Sequence, residues 1–134
     1  ARSDSKLKSF TTLGTPNRNP SNSLLRSFDQ TRGMLKYINE NYPANSVQGV
    51  RYTSIVGTGT KASFPSLNLE EILAFVSYLP LGGSPDGLGD GIVPWKVGIM
   101  EGAESIILPD AKHANFIPSF FGESIKIQNG NYSW

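Results

Sequence analysis

Two short segments carry side chains that could act on one another. In Leu88-Gly89-Asp90-Gly91-Ile92-Val93-Pro94 an aspartate stands between two glycines, ahead of an apolar pair and a proline. In Leu108-Pro109-Asp110-Ala111-Lys112-His113 the only histidine of the chain follows a short apolar run. An imidazole works as a general base near neutral pH only when its tautomer is fixed. A carboxylate that accepts from Nδ1 fixes it and also steadies the imidazolium. Asp90 as orienter and His113 as general base and acid are therefore the candidate catalytic residues, and the chemistry they suit is activation of a hydroxyl. Taken singly, Gly-Asp-Gly is a tight turn and a loop histidine is a solvated or packing residue. The order of aspartate loop, strand and histidine loop is what joins them into one candidate site.

The hydroxyl is the missing part. Where an Asp–His pair serves a serine in an α/β-hydrolase, that serine stands on a Gly-x-Ser-x-Gly elbow between a strand and a helix, and no such elbow occurs in the sequence. The nearest approach, Gly82-Gly83-Ser84-Pro85-Asp86, has aspartate where the second glycine belongs and does not join a strand to a helix, so Ser84 is rejected. Asp86 is the lesser alternative to Asp90 as triad member. A calcium loop starting at Asp86 fails, because its twelfth position must be a bidentate glutamate and Val97 stands there. Gly57-Thr58-Gly59-Thr60-Lys61-Ala62 has the form of a dinucleotide fingerprint. However, Pro65 interrupts the helix it would open, and the acidic residue expected about 20 positions on is absent near Ser77. Trp95, Phe116, Phe120 and Phe121 could line an acyl pocket, but ordinary core is the plainer reading and no role is assigned to them.

The elements that must position Asp90 and His113 can be traced along the chain. Leu7 to Leu13 reads as a strand that runs into the turn Gly14-Thr15-Pro16-Asn17. From Asn22 the apolar residues Leu24, Leu25, Phe28, Leu35, Ile38 and Tyr42 recur at helical spacing and stop at Pro43, a helix with a break near Gly33. Val50 to Val56 is β-branched and forms the second strand. Asn68 with Glu71 resembles a capping box, and Leu69, Ile72, Leu73, Val76 and Leu79 make the apolar stripe of a short helix. The glycines between Gly82 and Gly91 point to a loop with unusual backbone angles and no regular element. Ser105 to Leu108 reads as a buried strand, and Ile125 and Ile127 before Asn129-Gly130 give a weak hairpin signal. Strands separated by helices imply an α/β fold with a mostly parallel sheet flanked by helices, whose ligands sit beyond the carboxyl ends of the strands. Three short strands leave edges and faces unpaired, so partner strands are expected.

Composition narrows the function classes. A chain of 134 residues, 38% hydrophobic, holds one domain or part of one. Its formal charge of +1 supplies no broad basic surface, so nucleic acid is not an expected partner. With no cysteine and one histidine, a Cys-ligated zinc or a His-rich metal site is excluded, and neither metal nor cofactor is expected. No apolar run reaches the roughly 18 residues of a membrane-spanning helix. The first residue is alanine and a strand begins almost at once, from which we expect the native N-terminus to lie upstream.

Four segments together carry a family resemblance. Phe10-Thr11-Thr12-Leu13-Gly14-Thr15-Pro16, then Thr31-Arg32-Gly33-Met34-Leu35 with Glu40-Asn41-Tyr42-Pro43, then Gly89-Asp90-Gly91-Ile92-Val93-Pro94 with Glu101-Gly102-Ala103, and finally Asp110-Ala111-Lys112-His113 resemble successive landmarks of plant, algal and cyanobacterial lipase-like α/β-hydrolases. The resemblance covers roughly residues 6 to 118, and Gly-Asp-Gly-x-Val-Pro is its most specific part, although related motifs occur in other lipase families. It implies that residues 1–134 are the C-terminal part of a single α/β-hydrolase domain, with Asp90 and His113 as catalytic residues. The serine and the oxyanion donors would lie upstream, the substrate would be an ester or lipid, and the partner would be the missing N-terminal half. The compartment it implies is chloroplast or cytoplasm, and the isolated chain is expected to be inactive. Two departures stand out: Asn17 replaces the histidine usual after Gly-Thr-Pro, and the chain stops at Tyr132-Ser133-Trp134, before the family's last helix. The alternatives are an inactive remnant serving as an interaction module and, more weakly, a nucleotide-binding domain.

Overall fold

The computed structural model describes residues 7–19 and 31–113. The first part of the expected Asn22 helix, the Ile125/Ile127 hairpin signal, and Phe116, Phe120 and Phe121 lie outside those residues. Three parallel strands form the sheet, β1 (Ser9–Leu13), β2 (Arg51–Gly57) and β5 (Glu104–Leu108), with β2 in the middle. Thr11, Thr53 and Glu104 stand level across it, and Leu13, Ile55 and Ile106 form the next row on the same face. Parallel neighbours need crossover connections, and α1 (Met34–Asn41) and α2 (Leu69–Tyr78) lie in the two crossovers. The architecture is thus α/β, a parallel three-stranded sheet flanked by helices, as the alternation of elements predicts.

Each boundary has a local cause. Gly33, at φ +84°, turns the chain into α1. Asn68 caps α2, its Oδ1 accepting the N–H of Glu70 at 3.0 Å. The expected capping box is only half formed, since Glu71 Oε2 accepts from Ser66 Oγ at 2.6 Å and the Asn68 N–H goes to the same hydroxyl. The glycine-rich stretch does take left-handed angles, at Gly82, Gly83, Gly87 and Gly91. It nevertheless holds a regular element, contrary to expectation. β4 (Leu88–Gly89) pairs antiparallel with β3 (Thr60–Lys61), pairing that two residues on each side suffice to make and that composition does not reveal. A four-residue helix, α3 (Trp95–Gly98), was equally invisible, being too short to show a period.

Burial departs from the pattern in two places. Val56, Ala74, Tyr78, Val93 and Ala111 form the buried apolar core. The helix α2 buries its Ala74 and Tyr78 side, while Leu69, Leu73, Val76 and, just beyond the helix, Leu79 from the expected apolar stripe are exposed. The strand β5, expected to be buried, has Ile106 and Ile107 exposed on its two faces, and among the described residues it is an edge strand. By contrast, α3 is seated tightly: a Cβ at Gly98 would stand 2.6 Å from Val56 Cγ1, so only glycine lets α3 approach β2 this closely.

Candidate active site

Asp90 sits on the short turn between β4 and α3, and His113 lies just past β5. Both are carried to the carboxyl end of the sheet, where β2 ends at Gly57. The turn is tied to itself: the Asp90 N–H donates to the Val93 carbonyl at 3.2 Å, and Asp90 Oδ1 accepts the N–H groups of Ile92 and Val93 at 3.0 and 2.7 Å. With Oδ1 thus occupied, Oδ2 faces His113 Nδ1 at 3.0 Å. The His113 N–H also donates to the Asp90 carbonyl at 2.7 Å, which locks the two loops together through backbone as well as side chain. Asp90 is 2% exposed, whereas the His113 side chain keeps 35% of its surface open. Nε2 has no hydrogen-bond partner among the described residues. An imidazole held at Nδ1 by a carboxylate and open at Nε2 can take a proton from a hydroxyl brought to it.

The glycines after β2 explain how the loops meet. A Cβ at Gly57 would lie 2.3 Å from the Ala111 carbonyl oxygen and 3.1 Å from Asp90 Cβ, and one at Gly59 would lie 2.8 Å from that same oxygen. Close approach of the His113 loop therefore accounts for both glycines of the Gly-x-Gly-x-x-Ala sequence. The Gly59 N–H donates to Ala111 at 3.0 Å, and the chain continues into β3, with no helix opening behind Gly59 as a dinucleotide fingerprint would have.

Two neighbours, Tyr78 and Glu70, are not singled out by the sequence. Tyr78 is 1% exposed, and its hydroxyl accepts the Gly91 N–H at 2.9 Å. Burial pushes its phenol well above the ordinary range; the Gly91 hydrogen bond opposes this, and the nearby Asp90 and Glu70 carboxylates add to the rise. Glu70 Oε1 accepts from Thr60 Oγ1 at 3.0 Å and pairs with Lys112 Nζ at 2.6 Å, one residue before His113. The only available signal was that a buried tyrosine must find a partner for its hydroxyl. Nothing in local sequence brings Glu70 to Lys112.

The other candidates have local work. Asp86 Oδ1 accepts from Ser84 Oγ and the Leu88 N–H, and Oδ2 meets Lys96 at 3.0 Å and Trp95 Nε1 at 3.1 Å. Burial is the largest single influence and raises the carboxyl; the bonds from Lys96, Leu88, Ser84 and Trp95 together outweigh it and hold the group well below the usual carboxylate range. Asp86 and Ser84 thus build the turn before β4 and do not reach His113. Asn17 donates to Thr12 Oγ1 at 2.9 Å and to the Gly98 carbonyl at 2.7 Å, clamping the turn after β1 onto α3. A cavity of about 700 Å³ lies between α1 and the Phe10/Tyr52 end of the sheet, and one of about 340 Å³ lies beside Phe64, Phe75 and Ser84; neither is lined by Asp90 or His113. Among the described residues no cluster of three or more His, Cys, Asp or Glu side chains could hold a metal ion, and no helix is long and apolar enough to cross a membrane. No family model, curated protein or solved structure matches the chain.

Proposed function

We propose that this chain supplies the aspartate and histidine of a Ser-Asp-His hydrolase acting on carboxylic esters, within an α/β-hydrolase fold. The observation that carries the reading is the buried Asp90 carboxylate, fixed by two backbone N–H groups and set 3.0 Å from Nδ1 of a histidine whose Nε2 has no partner among the described residues. The parallel sheet, the placement of both residues beyond its carboxyl ends and the resemblance of the four sequence segments to lipase-like hydrolases support it.

In this reading a serine hydroxyl comes from a Gly-x-Ser-x-Gly elbow outside these 134 residues. His113 Nε2 takes the serine proton as the oxygen attacks the ester carbonyl, and returns it to the departing alcohol, leaving an acyl-enzyme. Water then attacks the acyl group with His113 again as base, and the acid is released. Asp90 remains a carboxylate throughout and stabilises the imidazolium. Backbone N–H groups beside the nucleophile would hold the oxyanion.

The coding sequence upstream of the Ala1 codon tests this directly. An elbow between a strand and a helix supports the reading, and translation that starts at Ala1 removes it in favour of an interaction module. The exposed Leu69, Leu73, Val76 and Leu79 are the observation that favours that second reading.

A further inference from the structure

We propose that α2 is the template that sets the geometry of the Asp90–His113 pair, with Tyr78 and Glu70 as positioning residues for its two halves. The proposal rests on the reading of that pair as the working site, and it concerns residues to which neither motif nor resemblance assigns a role.

The two loops come from distant stretches of sequence, and each is attached to the same helix next to its functional side chain. Tyr78 holds Gly91, the residue after Asp90, through the Gly91 N–H. Glu70 holds Lys112, the residue before His113, through a 2.6 Å ion pair, and it also holds Thr60 of the strand that pairs with β4. Glu70, Ala74 and Tyr78 lie at successive turns on one side of α2, so the two clamps are roughly 12 Å apart along the axis. A rigid helix of that length fixes the separation of the loops better than either loop could alone. Space around the aspartate turn is equally determined: a Cβ at Gly89 would stand 2.4 Å from the Tyr78 hydroxyl and 2.5 Å from the Val93 carbonyl oxygen. The raised phenol stays neutral at working pH, so the clamp places no second anion beside Asp90.

This also explains why α2 faces inward with Glu70, Ala74 and Tyr78 and not with its leucines. The side with polar handles is the one the two loops need.

The test uses the imidazole itself, which is unambiguous because the chain has one histidine. The 15N tautomer pattern and the solvent exchange of the His113 Nδ1 proton are read by NMR in the full chain. Variants Tyr78→Phe, Glu70→Gln, Asp90→Asn and, as a control on the exposed side of α2, Val76→Ser are compared. We expect Tyr78→Phe and Glu70→Gln to mix the tautomers and speed Nδ1 proton exchange severalfold, up to on the order of tenfold, as loss of one hydrogen bond would. Val76→Ser is expected to leave both readouts unchanged. Unchanged signals in Tyr78→Phe and Glu70→Gln, with Asp90→Asn altered, would overturn the template while sparing the pair. An Asp90→Asn signal identical to the parent would remove the pair and the template together. Where Tyr78→Phe does not fold, Glu70→Gln decides.

Discussion

Asp90 acts only as an acceptor, and that determines what its replacement does. Both oxygens of its carboxylate accept, Oδ1 from two backbone N–H groups and Oδ2 from His113. In Asp90→Asn the amide nitrogen must face one of those donors, so at least one hydrogen bond becomes a repulsion inside a buried turn. We expect a stability loss of about 1–3 kcal/mol by urea unfolding, and a fall in turnover of about 10⁴ in a protein that also carries the serine. His113→Ala strands the buried Asp90 Oδ2 without its partner, so a comparable stability loss of about 1–3 kcal/mol is expected, with turnover removed as fully. Retained turnover in either variant takes that residue out of the site. Gly57→Ala separates packing from chemistry. Its Cβ would meet the Ala111 carbonyl at 2.3 Å, so the backbone of the His113 loop must shift. A loss of about 1–3 kcal/mol is expected, together with displaced amide signals from Asp110 to His113; a silent substitution would show that the loop is not seated on β2.

At the scale of elements, two titrations report on two different turns. Asp86 has its carboxyl depressed below its ordinary 3.8 by the Lys96, Leu88, Ser84 and Trp95 contacts. A depressed acid stabilises the fold above its unfolded pKa and loses that contribution as pH falls below it. Asp86→Asn is therefore expected to flatten the decline of stability between about pH 5 and about pH 2. Tyr78 is the opposite case, a phenol raised above its ordinary 10.0 by burial. It contributes stability below pH 10 that fades as pH climbs through the folded value, so Tyr78→Phe is expected to have a shallower alkaline limb, as followed by circular dichroism. Parallel alkaline limbs in the two proteins would contradict the burial of that hydroxyl. These elements also show where sequence could be read and where it could not. Strand β2 and helix α2 were legible because β-branched runs and a good N-cap act locally. The Asp90–His113 contact was legible because glycines and a single histidine leave few choices. The face of α2 was misjudged, since its orientation is decided by Tyr78 and Glu70 meeting loops far away in sequence, which no hydrophobic period encodes.

At the scale of the molecule, the apolar surface of the described residues is short of partners. Leu13 and Ile106 stand on one face of the sheet at 44% and 40% exposure, with Ile107 of β5 exposed on the opposite face. Among the described residues β1 and β5 each pair with one neighbour only, which leaves an open edge on either side of the sheet. Add the leucine side of α2, and three separate surfaces ask for cover, a distribution expected of a domain completed by further chain more than of one with a single docking patch. If that is so, the 134 residues alone will bind a hydrophobic dye and associate at micromolar concentration. A charge placed on any one surface, Ile106→Lys at the edge strand or Leu73→Glu on α2, will then reduce association only in part, and the double variant more than either. If the proposed reading holds, joining the chain to a polypeptide that supplies a serine elbow is expected to abolish dye binding at all three surfaces together. A monodisperse monomer without dye binding, seen by sedimentation velocity, would mean that these faces are already satisfied, and the case for a completing partner would fall with it.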